Sequence, residues 1–248
     1  MSGGIDLRLG DCLGVEGLPS LADRTVGVVI TDPPFDRRAH RAAVEVGQRV
    51  PGRRRVSGEL PFAPLAPERI PEVAGHLARV TRRWILVFVG ECQIDQWRLA
   101  LEAAGARFVR LGYAVRTNPR PQLSGDRPAP AADPILIAHS AGERLRWNGR
   151  GRSGKWPSPP ARFDPGGQVH PTQKPLPLMR QLLDDFTDRD ELVLDPFAGS
   201  ASTAVACWEL GRRFVGWEVD PNYHGAAIVR LAGTTPPAGS EALAAAGA

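Results

Sequence analysis

The chain has 248 residues, a formal net charge of +4 and 42% hydrophobic side chains, the make-up of a globular protein with room for one large α/β domain or two small ones. No apolar run reaches the length of a membrane span and the N-terminus has neither a basic start nor an apolar signal core, so a cytoplasmic location is expected. Cys12, Cys92 and Cys207 are far apart, odd in number and without paired ligand spacing, which argues against disulfides and a structural zinc; no metal is expected.

Residues 5–9 alternate like a short strand and end at Gly10, Asp11 and Cys12, and residues 13–21 can hold a helical turn or two before Pro19 interrupts them. Residues 26–30 are apolar on both faces, the signature of a central parallel strand covered by helices on each side. That strand runs into Asp32, Pro33, Pro34 and Phe35. Proline fixes φ and lacks an N–H, so this turn holds its carbonyls in set directions beside an acid and an aromatic. Taken alone, it reads equally well as an ordinary Asp-Pro turn.

From residue 36 to about 64 no helical or strand period persists, and seven arginines fall there, Arg37, Arg38, Arg53 and Arg54 among them. A helix is predicted over 67–80, a continuously apolar strand over 84–89, and a helix over 92–104 stopped by Gly105. Strands at 108–115 and 135–138, separated by a turn-rich stretch, can pair as a long antiparallel hairpin. Residues 140–168 are polar and rich in glycine and arginine, with Trp147 and Trp156 among Arg144, Arg146, Arg150, Arg152 and Lys155. Aromatics between basic residues suit stacking on bases or packing onto a partner; isolated exposed tryptophans are the alternative.

His170, Pro171, Thr172, Gln173, Lys174 and Pro175 lead into a helix over 176–186, and residues 192–194 form a short buried strand that ends in Asp195, Pro196, Phe197, Ala198, Gly199 and Ser200. A helix over 202–210, a strand over 214–217 with Glu218 at its end and a last helix over 223–231 follow, and the Ala/Gly/Pro composition beyond residue 233 reads as a disordered tail. Alternating strands and helices argue for a mostly parallel sheet with helices on both faces, with ligands bound outside the carboxyl ends of the strands. Two strands end in an Asp-Pro turn. If they are neighbours, Asp32 and Asp195 face one crevice.

Positive charge is concentrated: residues 36–55 and 140–164 hold 13 of the 31 basic residues but 4 of the 27 acidic ones, the footprint expected for a polyanion, with solvated loops as the alternative. Nearly all the basic residues are arginines. Lys155 and Lys174 are the only lysines.

Together, residues 32–35, 170–175, 195–200 and Glu218 resemble the amino-methyltransferases of DNA that use S-adenosylmethionine, in the permuted subgroup where the catalytic motif precedes the cofactor motif. The likeness runs from about residue 10 to residue 231. It implies a Rossmann-like class I methyltransferase fold with an antiparallel hairpin at one edge. It further implies one domain over 1–232, with a catalytic half 1–139, a basic target-recognition insert at about 140–168, a cofactor half 169–232 and a disordered tail 233–248.

By this resemblance Asp32, Pro33, Pro34 and Phe35 are catalytic, and Asp11, Thr172, Lys174, Asp195, Phe197, Ala198, Gly199, Ser200 and Glu218 bind the cofactor. The turn over 197–200 offers a close backbone approach and a helix N-terminus to a carboxylate, and Glu218 is placed to accept ribose hydroxyls. DNA contacts are expected from Arg37, Arg38, Arg53, Arg54, Arg144, Arg146, Arg150, Arg152 and Lys155, reading bases or only phosphates. The partner implied is double-stranded DNA, with a homodimer left open. An acid at the first position of the catalytic motif resembles the adenine-modifying members, with cytosine and a catalytically silent DNA-binding module as alternatives. The sequence departs from the family at Ala201, where glycine is usual, and a weaker hold on the cofactor or a shifted helix start is expected there.

Overall fold

A computed structural model of the chain describes residues 4–34, 65–119, 121–122, 125–161, 164 and 172–234. Eight strands form one sheet in the order β1-β8-β7-β2-β3-β5-β4-β6. They are β1 (Ile5–Leu9), β2 (Val28–Thr31), β3 (Trp84–Phe88), β4 (Arg107–Arg116), β5 (Ala132–His139), β6 (Lys155–Ser158), β7 (Leu192–Asp195) and β8 (Arg213–Glu218). The helices are α1 (Ile70–Val80), α2 (Ile94–Ala103), α3 (Leu176–Phe186), α4 (Ser202–Glu209) and α5 (Pro221–Ala232). None of the described helices is long and apolar enough to cross a membrane.

All sheet pairs are parallel except β3 with β5 and β4 with β5, so the expected hairpin is present. It does not form the edge itself. β6 pairs in parallel with β4 outside it, placing Trp156 beside Ala114. This strand lies inside the segment expected to be a target-recognition insert. It was not predicted because it is four residues long and carries Pro157, a residue that only an edge strand tolerates.

Pleating sorts the core into two layers. Val28 and Ile30 of β2 and Leu86 and Phe88 of β3 face the layer that holds α3 and α4. Val29, Ile85 and Val87 face the opposite layer, with Ile70, Val73, Leu77 and Val80 of α1 and Trp97 and Leu101 of α2. The predicted i, i+3, i+4 spacing of α1 is this buried stripe. Each fully buried Val, Leu or Ile contributes roughly 1.5–3 kcal/mol. α5 starts at Asp220, whose carboxylate accepts the N–H groups of Asn222 at 2.7 Å and Tyr223 at 3.3 Å, with Pro221 pre-set for the first turn.

β2 and β7 are adjacent and parallel, Val28 opposite Val193 and Val29 opposite Leu194. The strand that leads to Asp32 and the strand that ends at Asp195 are therefore neighbours, although 163 residues separate the two acids in sequence. The tail is described only to residue 234; residues 235–248 lie outside the described residues.

Candidate active site

Four acids stand in a row at the carboxyl ends of four consecutive parallel strands: Asp11 beyond β1, Glu218 at the end of β8, Asp195 at the end of β7 and Asp32 beyond β2. Neighbouring strands are about 4.8 Å apart, so the row runs from the β1 edge to the middle of the sheet in about 15 Å. This is where open α/β sheets take ligands.

Asp195 is the most enclosed of the four. Its Oδ1 accepts the Thr31 hydroxyl at 2.8 Å and the Phe197 N–H at 3.1 Å, and its Oδ2 accepts the Thr203 hydroxyl at 2.7 Å. Burial pushes its carboxyl up to about 6, against these donors, which favour the charge. Asp195 thus ties β2, the 197–200 turn and α4 together. It anchors the 197–200 turn from below.

Above it, the Ala198 N–H donates to the Trp217 carbonyl at 2.9 Å and the Gly199 N–H to Glu218 Oε2 at 2.9 Å. Glu218 Oε1 accepts the Asp220 N–H at 2.8 Å. Burial raises the Glu218 carboxyl above its usual range while these N–H groups pull it down. Both oxygens are oriented by backbone, and each keeps a lone pair for a further donor. Gly199 has a left-handed φ of 53°, and a Cβ there would meet nothing within 4 Å, so the turn faces open space. An open cradle beside an oriented carboxylate fits a nucleoside with an amino-acid end.

Ala201 also adopts a left-handed φ, 58°, at the N-cap of α4, and is fully buried. Its methyl packs inside the protein. The helix starts at Ser202, where the sequence reading put it.

Asp32 is held differently. Lys174 Nζ donates to its Oδ2, while Oδ1 is buried and has no hydrogen-bond partner among the described residues. Burial raises the Asp32 carboxyl and Lys174 draws it back. Lys174 also sits over the Phe88 ring, 4.8 Å from its centroid. The Pro34 carbonyl accepts the Leu65 N–H at 3.3 Å, tying the turn to the residues before α1. Phe35, Arg37, Arg38, Arg53 and Arg54 lie outside the described residues.

Two expected cofactor residues make contacts within the protein that the sequence did not show. Lys174 pairs with Asp32. Asp11 accepts the Leu13 N–H at 3.0 Å and pairs with Arg69 at 3.2 Å, a turn cap at the rim of the row. Thr172 is exposed just before Gln173, and Gln173 donates to Asp164 at 3.3 Å.

The basic segment is also placed otherwise. Its first half lies at the opposite end of the sheet, where β3 begins and β5 ends. The Arg146 carbonyl accepts Trp84 Nε1–H at 2.7 Å and an Arg83 N–H at 3.0 Å, and the Arg146 side chain pairs with Asp188. Arg144 and Arg146 line an open cleft of about 610 Å³ with Arg82, Arg83 and Glu191, away from the catalytic turn. Arg152 pairs with Asp185 near the end of α3, and Arg150 lies two residues before it, exposed. Lys155 is exposed on β6.

Neither tryptophan of the segment is a free stacking surface. Trp156 is 1% exposed and donates to Asp185 at 2.7 Å, and Trp147 packs on Phe186, centroids 6.3 Å apart. Hydrophobic burial won over the polar surroundings of these two side chains.

Sequence reasoning missed Thr31 and Thr203, and it missed Arg230. Arg230 pairs with Asp164 at 3.4 Å and donates to the Ser200 carbonyl and the Ser202 hydroxyl, both at 3.0 Å. Asp164 in turn accepts the Leu176 N–H at 3.2 Å, so α3, α5 and the 197–200 turn share one buried ion pair. A lone arginine on an amphipathic helix gives no sequence signal of such a role.

A match to the DNA methylase family covers residues 26–229. Over 228 residues the chain is 30% identical to YubD of Escherichia coli strain K12, described as a methylase, covering 90% of this chain and 88% of that protein. Among solved structures, the complex of M1.HpyAVI with SAM matches with a TM-score of 0.67 at 22% identity, covering 92% of this chain and all of the other. The cytosine-N4-specific PvuII DNA methyltransferase matches with a TM-score of 0.69 at 16% identity, covering 93% and 87%. The fold is thus the Rossmann-like methyltransferase fold, and the chain belongs to the N6/N4 DNA methylase family of S-adenosylmethionine-dependent methyltransferases.

Proposed function

We propose that the protein transfers the methyl group of S-adenosylmethionine to the N6 amine of adenine in double-stranded DNA. The observation that carries this reading is the state of Asp32: a carboxylate beyond the strand next to the cofactor turn, with one oxygen held by Lys174 and the other without a donor among the described residues. An exocyclic amine is a poor nucleophile because its lone pair is delocalised into the ring. An acceptor at each amine hydrogen favours a pyramidal nitrogen with the lone pair localised. Asp32 supplies one acceptor and the Pro33 carbonyl the other.

The cofactor supplies an electrophilic methyl on a sulfonium. As the N–C bond forms, the C–S bond breaks and its electron pair stays on sulfur; the amine nitrogen becomes cationic and releases one proton through Asp32 to water. Glu218 accepts the ribose hydroxyls, the 197–200 turn takes the carboxylate end, and Asp195 holds that turn in place. Phe35 stacks on the base. A base inside a duplex cannot reach this turn, so it is flipped out at a cost of roughly a few kcal/mol, offset by phosphate contacts from Arg37, Arg38, Arg53 and Arg54. In this reading residues 1–139 form the catalytic half and 169–232 the cofactor half of one domain.

The same acceptors would serve the N4 amine of cytosine, and the likeness in fold to the PvuII enzyme keeps that reading in play. Incubation with labelled S-adenosylmethionine and duplex DNA, followed by nucleoside chromatography, decides. Label in N6-methyladenine supports the proposal and label in N4-methylcytosine supports the second reading. A protein that binds the cofactor yet labels no DNA is a silent binding module.

A further inference from the structure

The contact between Lys174 and Asp32 has no place in the resemblance, which assigns that lysine to the cofactor. Lys174 is one of two lysines in a chain that otherwise uses arginine. It is largely buried, with 14% of its side chain exposed against 21% for Asp32. It is fixed from three directions. Gln173 before it donates to Asp164, and the Leu176 N–H two residues later donates to the same acid. The ammonium lies over the Phe88 ring of β3, the strand beside β2. A compact ammonium with three donors can bond one carboxylate oxygen without engaging both, as a guanidinium fork tends to.

We propose that Lys174 is a positioning residue for the acceptor: its ammonium fixes Asp32 through Oδ2 and keeps it a carboxylate, leaving Oδ1 and the remaining lone pairs for the amine hydrogen. The inference rests on the function proposed above. A carboxyl taken out of water favours its neutral form, and a neutral Asp32 loses the charge that draws the amine hydrogens. Among the described residues, the charged groups facing Asp32 are few. Asp133 on β5 opposes its ionisation but is itself neutralised by Arg116 of β4, and Asp195 lies beneath on β7. Phe88 on β3 is uncharged. Lys174 is thus the cation that offsets burial at this turn, and the segment thought to close over the cofactor also sets the acceptor.

The test compares wild type with Lys174→Met and Lys174→Arg. In cofactor-free protein, ¹³C-detected titration of the carboxyls, with Asp32 assigned through Asp32→Asn, reads the acceptor directly. The midpoint of Asp32 should rise by about one pH unit or more in Lys174→Met, the size expected for loss of an opposite charge in contact, and stay near wild type in Lys174→Arg. In single turnover the acid limb of the methylation rate should move up with it, lowering the rate near neutral pH by about tenfold, while affinity for S-adenosylhomocysteine changes by less than about threefold. Lys174→Gln, polar and uncharged, carries the same comparison if Lys174→Met does not fold. An unmoved Asp32 midpoint overturns the inference. So does a loss confined to cofactor affinity, or transfer that speeds up when the lysine is removed, which would make Lys174 a competitor for the amine site. Wild type that methylates no DNA would instead overturn the functional reading, and the carboxyl titration would still decide the role of the lysine.

Discussion

Asp195 and Asp32 are buried carboxylates on neighbouring strands, satisfied in opposite ways. Asp195 spends its capacity on Thr31, Thr203 and Phe197, whereas Asp32 has one side-chain contact and capacity left over among the described residues. The first is a structural anchor and the second, in the proposed function, the acceptor. Asp195 leaves a signature in stability. Its folded value of about 6 lies above its ordinary 3.8, so as pH rises from 3.8 the unfolded chain loses its proton first. The stability this group contributes is full below pH 3.8, falls across the window and is gone above about 6. The unfolding free energy of wild type minus that of Asp195→Asn should therefore fall on the order of 2 kcal/mol between those pH values, measured by urea titration at a series of pH values. A difference that rises with pH would mean that the three donors outweigh burial. At this scale the sequence was informative where an acid closes a strand: Asp32, Asp195 and Glu218 all stand at strand ends. The side-chain partners of the two aspartates were not legible, because Lys174, Thr31 and Thr203 reach them from other elements.

At the scale of elements, β6 shows how composition misleads. Lys155, Trp156, Pro157 and Ser158 alternate exposed and buried, yet four residues with a proline among arginines look like loop. Two distant partners make them a strand, the outer edge of β4 and the Asp185 carboxylate on α3. Trp156→Phe keeps an aromatic ring but removes the N–H together with part of the indole, leaving a buried oxygen of Asp185 short of a donor. It should cost about 1–3 kcal/mol in urea unfolding and leave the methylated sequence unchanged. A shift in target sequence with stability intact would return Trp156 to base recognition. The longer elements were legible because their apolar period is long. α1 shows its stripe at Ile70, Val73, Ala74, Leu77 and Val80, and β2 and β3 are apolar on both faces because helices cover both.

For the whole molecule, charge and site do not coincide as the sequence suggested. The half of the second basic segment that holds Arg144 and Arg146 is fastened to the start of β3, at the far end of the sheet from Asp32. A chain can be read for where charge falls along it, but the sheet end to which a loop returns depends on the direction of β5. The double substitution Arg144→Ala/Arg146→Ala should leave DNA affinity and its salt dependence as in wild type. Removing Arg37, Arg38, Arg53 and Arg54 together should flatten the slope of log affinity against log salt by about 3–4, at about 0.9 for each phosphate no longer neutralised. Equal effects of the two sets would place DNA along both ends of the sheet.

The central claim is that Asp32 orients an amine toward a methyl donor held by the neighbouring strand. It is tested most directly by single-turnover methylation of duplex DNA with wild type and Asp32→Asn, with cofactor affinity measured on the same preparations. The account predicts that Asp32→Asn binds S-adenosylmethionine within about threefold of wild type and transfers methyl about 10²–10⁴-fold more slowly. Equal transfer rates in the two proteins would contradict it.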